Sequence, residues 1–126
     1  MTDWDNIYKI RIANPDDSFQ KHEVVKLLLV MKILNKHRRK FYTKVYTEHK
    51  VNSHKCDIYF EDLKEKAVYI YEIQGKWSES WLKEKTDYYD TYVVYGFNSV
   101  NFIPINIKEL SSDIVELNKQ LDEFIF

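Results

Sequence analysis

The stretch CDIYFEDLKEKAVYIYEIQGK, residues 56–76, confines the fold more than any other part of the chain. Two runs rich in β-branched and aromatic residues flank a charged centre, and the link between them is too short for a crossover. They are therefore expected to close as an antiparallel hairpin. With the turn centred on Lys64–Glu65, residues whose numbers sum to 129 face each other, which sets Asp57 opposite Glu72. Directly opposed residues share a face, with Cβ atoms about 4.5–5.5 Å apart. The same counting places Lys55, Tyr59 and Glu61 with Asp57, and Val68, Ile70 and Gln74 with Glu72. Cys56, Ile58, Phe60, Tyr69, Tyr71 and Ile73 fall on the other side. Both faces are largely apolar, so the hairpin is expected to be covered on both, leaving the two acids no free route to water.

Elements on either side follow from their periodicity. Val24, Leu27, Leu28, Val30, Met31 and Leu34 recur at helical spacing from about His22 to His37, with Ser18 as a cap. Phe41–Glu48, Lys55–Glu61 and Ala67–Gln74 alternate as three consecutive strands. Ser78 caps a helix to about Tyr92, whose inner face carries Trp81, Leu82, Lys85, Tyr88, Tyr89 and Tyr92. Asn101–Ile107 reads as a further strand. Asp113 followed by Glu116 resembles a capping box ahead of Ile114, Leu117, Leu121, Phe124 and Ile125. Helices around a small mixed sheet make an α/β sandwich. Only two glycines and two prolines occur, without repeats or a linker, so residues 1–126 are read as one domain.

At 44% hydrophobic and 16% aromatic, the chain has apolar surface enough for a core. Its single cysteine, Cys56, excludes an intramolecular disulfide and any cysteine-based zinc site, and an intracellular, cytoplasmic protein is expected. The longest apolar run, Leu27–Met31, is too short to span a bilayer, so no membrane partner is expected. The net charge of −1 conceals a basic segment, Lys36, Arg38, Arg39, Lys40, Lys44, Lys50 and Lys55 against the single acid Glu48. Richness in Ile, Lys and Tyr with only two alanines suits an AT-rich genome, archaeal or viral.

Two opposed carboxylates repel each other unless something positive lies between them. A divalent metal is the simplest such group, and hard oxygen ligands at that spacing suit Mg²⁺ or Mn²⁺. Glu23 lies in line with Leu27, Val30 and Leu34 on the first helix, so a third acid is expected either to point inward or to stay exposed at the helix start. His22, His37, His49 and His54 match no metal-ligand spacing and read as surface residues, the last two in a loop before the second strand.

The order helix, three strands, helix, strand, with Asp57 in KCDIYF and Glu72 with Gln74 in VYIYEIQGK, resembles the PD-(D/E)XK nuclease superfamily. The likeness is strongest to its small archaeal Holliday-junction-resolvase-like members, and Glu23 matches a helix acid that some members carry. The resemblance implies a restriction-endonuclease-like αβββαβ core with a C-terminal helix, acting on DNA as a Mg²⁺- or Mn²⁺-dependent endonuclease. Asp57, Glu72 and the carbonyl of Ile73 would hold the metal. It also implies a lysine two residues after Glu72, where this chain has Gln74, and an amide carries no positive charge. Three readings stay open: Gln74 orients the water, Lys76 or Lys85 supplies the charge, or the fold binds DNA or a partner without cutting. Arg38, Arg39, Lys40, Lys44, Lys55 and Lys85 would hold the nucleic-acid backbone. A homodimer is expected if two strands are cut symmetrically.

Overall fold

A computed structural model describes residues 17–37 and 42–126. The elements run α1 (Asp17–Lys36), β1 (Thr43–Val51), β2 (His54–Asp62), β3 (Ala67–Gln74), α2 (Glu79–Asp90), β4 (Ser99–Asn106) and α3 (Ile114–Leu121). Short 3₁₀ turns follow β4 at Ile107–Glu109 and α3 at Asp122–Phe124. The sheet order is β1-β2-β3-β4, antiparallel except for the parallel β3–β4 pair that α2 connects. The chain is thus α/β, with a four-stranded mixed sheet and three α-helices among the described residues.

β3 is central and covered on both faces, which is why its sequence is nearly continuously apolar. On one face Ile58, Phe60, Tyr71 and Ile73 pack with Val25, Leu29, Val30 and Ile33 of α1 and Leu117 and Leu121 of α3. On the other, Tyr59, Val68 and Ile70 pack with Tyr89 of α2, with Tyr88, Tyr92 and Phe102 around them. The inner face expected of α2 is the one observed: Tyr89 is buried, and Trp81, Leu82, Lys85, Tyr88 and Tyr92 are half-buried.

The expected caps at Ser78 and Asp113 form. Ser78 Oγ accepts from the Trp81 N–H at 3.1 Å, and Asp113 Oδ1 accepts from Val115 and Glu116. The second half of a capping box is replaced, because the Asp113 N–H goes to Ser111 Oγ. Asp113→Ala is expected to cost about 1 kcal/mol of unfolding free energy in a urea titration.

Several boundaries move. α1 starts at Asp17, so Ser18 lies inside the helix and not ahead of it. β1 continues past Glu48 to Val51 and turns through Asn52–Ser53 into β2, with Asn52 in the left-handed region at φ 55°. His49 and His54 accordingly lie in paired strands, not in a loop. Among the described side chains of α1 the buried ones are Glu23, Val25, Lys26, Leu29, Val30 and Ile33, a stripe displaced from the one drawn through Leu27 and Leu34.

Candidate active site

The β2–β3 ladder has the predicted register, from Asp62↔Ala67 to Ile58↔Tyr71, and there it stops. One residue further the register brings Asp57 and Glu72 level. At this point the Ile73 N–H donates to Asp57 Oδ2 at 2.6 Å. A carboxylate has replaced a strand carbonyl as acceptor, and the hairpin opens beside both acids.

Asp57 does not share the face of Glu72, which corrects the simple alternation. In β1 and β2, Thr47 faces Ile58 and His49 faces Cys56, so Glu48 and Asp57 stand opposite each other between them. Glu48 has a φ of 52°, and at this pair the pleat inverts in both strands. Cys56 and Val51 join the α2-side core, His49 stacks on Tyr59 at 4.2 Å, and Glu48 and Asp57 turn towards α1. Left-handed backbone costs a non-glycine residue roughly 1 kcal/mol or more. The ion pairs made by Glu48 and Asp57 offset that cost.

α1 receives them with a linked set of charges. His22 Nε2 lies 3.1 Å from Asp57 Oδ1, and His22 Nδ1 lies 3.3 Å from Glu23 Oε1. Lys26, 1% exposed, sits 3.0 Å from Glu23 Oε2 and 2.7 Å from Glu48 Oε1. Glu23 is 5% exposed, so it points inward as one of its two readings expected. It reaches Asp57 only through His22.

Carboxylates at both ring nitrogens favour the doubly protonated imidazolium, the one form that donates on both sides. Burial works against the charge of His22, but the Asp57 hydrogen bond and the charges of Asp57 and Glu23 outweigh it and raise its pKa above 6.5. The resulting stabilisation is fully present below the unfolded value of 6.5 and is lost as pH rises through the higher folded value. In an NMR titration the His22 ring is expected to show a midpoint above 6.5 that falls when Asp57 is replaced by Asn.

Glu72 is anchored from the opposite side of the sheet. It is 8% exposed; the Tyr89 hydroxyl donates to Oε2 at 2.7 Å, and Lys85 Nζ lies 3.3 Å from Oε1. Burial and the neighbouring Glu72 raise the pKa of Tyr89, so its phenol stays a donor. Burial, with Glu72 and Asp57 nearby, pushes the Cys56 thiol up to about 12, which leaves it unreactive. Gln74 is half-buried and its Oε1 accepts from the Lys76 N–H at 3.4 Å, while the Lys76 side chain is exposed.

Among the described residues no group of three or more His, Cys, Asp and Glu side chains is gathered around one metal position. The donors at the opening are two carboxylates. They are held from opposite faces of the sheet, Asp57 by His22 of α1 and Glu72 by Tyr89 and Lys85 of α2.

Of the expected backbone-binding residues, Lys44 and Lys55 are exposed on β1 and β2, with Lys50 directly across from Lys55. Lys85 is turned inward to Glu72. Arg38, Arg39 and Lys40 lie outside the described residues. Sequence reading missed His22, Lys26, Glu48 and Tyr89. The usable signal was the helical spacing of His22, Glu23 and Lys26, three charged residues along the buried side of one helix. Among the described residues no helix is long and apolar enough to cross a membrane. No family model, curated protein or solved structure matches the chain.

Proposed function

We propose that the chain is a metal-dependent endonuclease with a restriction-endonuclease-like core, hydrolysing DNA phosphodiester bonds at the opening between β2 and β3. The observation that carries this reading is the placement of Asp57 and Glu72 at the point where the hairpin ladder ends, within the order α-βββ-α-β. Bound there, Mg²⁺ or Mn²⁺ would acidify a water and offset phosphate charge. The chain's own residues do the rest. The Ile73 N–H fixes Asp57 through Oδ2, and Tyr89 fixes Glu72 through Oε2, so both carboxylates are oriented before a ligand arrives. The Ile73 carbonyl is a further oxygen donor at the same residue. Glu23 sets the orientation of His22 behind Asp57. Gln74, with an amide that both donates and accepts, orients the attacking water.

Lys44, and Lys55 with Lys50 directly across from it, contribute salt-dependent phosphate contacts. The sequence holds no base-reading motif, so the substrate is expected to be selected by shape, and branched or junction DNA cut by a homodimer suits it best. Gln74 itself favours a second reading, a nuclease fold that binds DNA or a partner without cutting.

Incubation with supercoiled plasmid and with four-way-junction DNA separates the two. Hydrolysis is expected in Mg²⁺ or Mn²⁺ and is abolished by chelation, by Asp57→Ala and by Glu72→Ala. Salt-sensitive DNA binding with no cutting under any of these conditions would select the silent reading.

A further inference from the structure

Away from the two acids, a cleft of about 520 Å³ is lined by α1, α3 and the 3₁₀ turn that follows β4. That volume lies within the range of small-molecule sites, about 300–1,000 Å³. The apolar part of its lining is aliphatic: Val24 of α1, Ile107 of the turn, and Ile114 and Leu117 of α3. Ile107 and Leu117 are 4% and 3% exposed and belong to the core, whereas Ile114 is 56% exposed. The apolar lining therefore runs from the core out to the surface.

The polar part of the lining offers donors. Lys21 Nζ donates to the Leu110 carbonyl, which holds the ammonium in place with two of its three N–H groups left over. Lys108 is exposed and, among the described residues, enters no ion pair. Ser111 Oγ accepts from the Asp113 N–H, so its own hydrogen is left to donate, and Ser112 adds a second hydroxyl. Among the described residues that line the cleft there is no carboxylate and no aromatic ring, in a chain with 20 acidic residues and 16% aromatics.

We propose that this cleft binds a free amphipathic anion, an unbranched alkyl chain of medium length ending in a single carboxylate. Its head lies between Lys21 and Lys108 and its chain runs along Val24, Ile107, Ile114 and Leu117. Two ammonium groups and two hydroxyls with no competing acid select a negative head, because hydrogen bonds to an ionised partner are the strong ones. Aliphatic walls without a ring select a flexible chain over a nucleobase, which proteins hold chiefly by stacking on aromatic side chains. None of the residues to which DNA cleavage is assigned lines the cleft, so the inference stands apart from the nuclease reading.

The test is titration with alkyl carboxylates at neutral pH, read by calorimetry and by ¹H–¹⁵N correlation spectra. Decanoate is expected to bind with a dissociation constant of roughly 0.1 mM. Octanoate and hexanoate follow with a loss of roughly two- to fourfold for each methylene removed. The neutral 1-octanol is expected to bind about tenfold more weakly than octanoate. The amides that shift should be those of Lys108, Ser111, Ser112 and Leu117. Lys108→Glu and Ile114→Asp, both at exposed positions and so free of a folding penalty, each weaken decanoate about tenfold. Lys108→Arg keeps the affinity, as does Lys83→Glu on α2, which packs on the other face of the sheet. Decanoate that fails to saturate the chain below about 10 mM overturns the proposal. So does 1-octanol binding as well as octanoate, or a Lys108→Glu chain with unchanged affinity, since the cleft would then be selecting only for grease. Sedimentation with phosphatidylglycerol vesicles in the absence of decanoate binding would assign this surface to a membrane and overturn it as well. DNA cleavage is read in none of these arms, so their outcome and that of the plasmid assay are independent.

Discussion

Replacing Lys26 by alanine is expected to lower the free energy of unfolding by about 3–5 kcal/mol, the cost of breaking a buried ion pair by removing one partner. Domains of this kind have about 5–15 kcal/mol in all, so the variant would be close to unfolding at ordinary temperature. The reason is local. Lys26 is 1% exposed and is the close cation of Glu23, itself 5% exposed, so its loss leaves a carboxylate in the core with only His22 beside it. Glu48 matters less, because its side chain is 41% exposed and water can replace the ammonium. Urea unfolding checks the figure. The double variant Lys26→Met, Glu23→Gln, which removes both charges together, is expected to recover most of the loss.

Asp57→Asn is expected to separate activity from folding. If Asp57 is a metal ligand, the neutral amide should slow DNA cleavage roughly a thousandfold or more, about 4 kcal/mol at 1.4 kcal/mol per decade. The fold should lose only about 1 kcal/mol, since the Asn carbonyl can still accept from the Ile73 N–H in place of Oδ2. Paired measurement of cleavage rate and urea midpoint distinguishes this outcome from simple unfolding. Equal losses in both would mean that Asp57 serves the fold alone.

Element order and hairpin register were legible in the sequence because each rests on a strong local signal. Strict alternation on both arms around a short charged turn admits one antiparallel pairing, and Ile58↔Tyr71 through Asp62↔Ala67 follow it. Ser78 and Asp113 cap their helices for equally local reasons. What alternation cannot express is a break in itself. The inversion at Glu48 and Asp57 turns on a left-handed residue that is neither glycine nor asparagine, so nothing in the residue type announces it, and Asp57 consequently faces α1. Lys26 was obscured differently. Inside VVKLLLV it reads as a charged interruption of an apolar run, whereas the helix is rotated to bury it against Glu23 and Glu48. His22 reads as a surface residue for want of a metal-ligand motif, yet its partners are carboxylates from two different elements.

The placement of a metal at the open end of the β2–β3 ladder can be tested directly by substoichiometric Mn²⁺ in a ¹H–¹⁵N correlation spectrum. Paramagnetic broadening should fall first on Asp57, Glu72 and Ile73, whose amide is hydrogen-bonded to the Asp57 carboxylate. Chelation should restore the signals, and Asp57→Asn combined with Glu72→Gln should abolish the effect. Broadening centred instead on the exposed acids Glu109, Asp113, Glu116, Asp122 and Glu123, with the Ile73 amide untouched, would contradict the account.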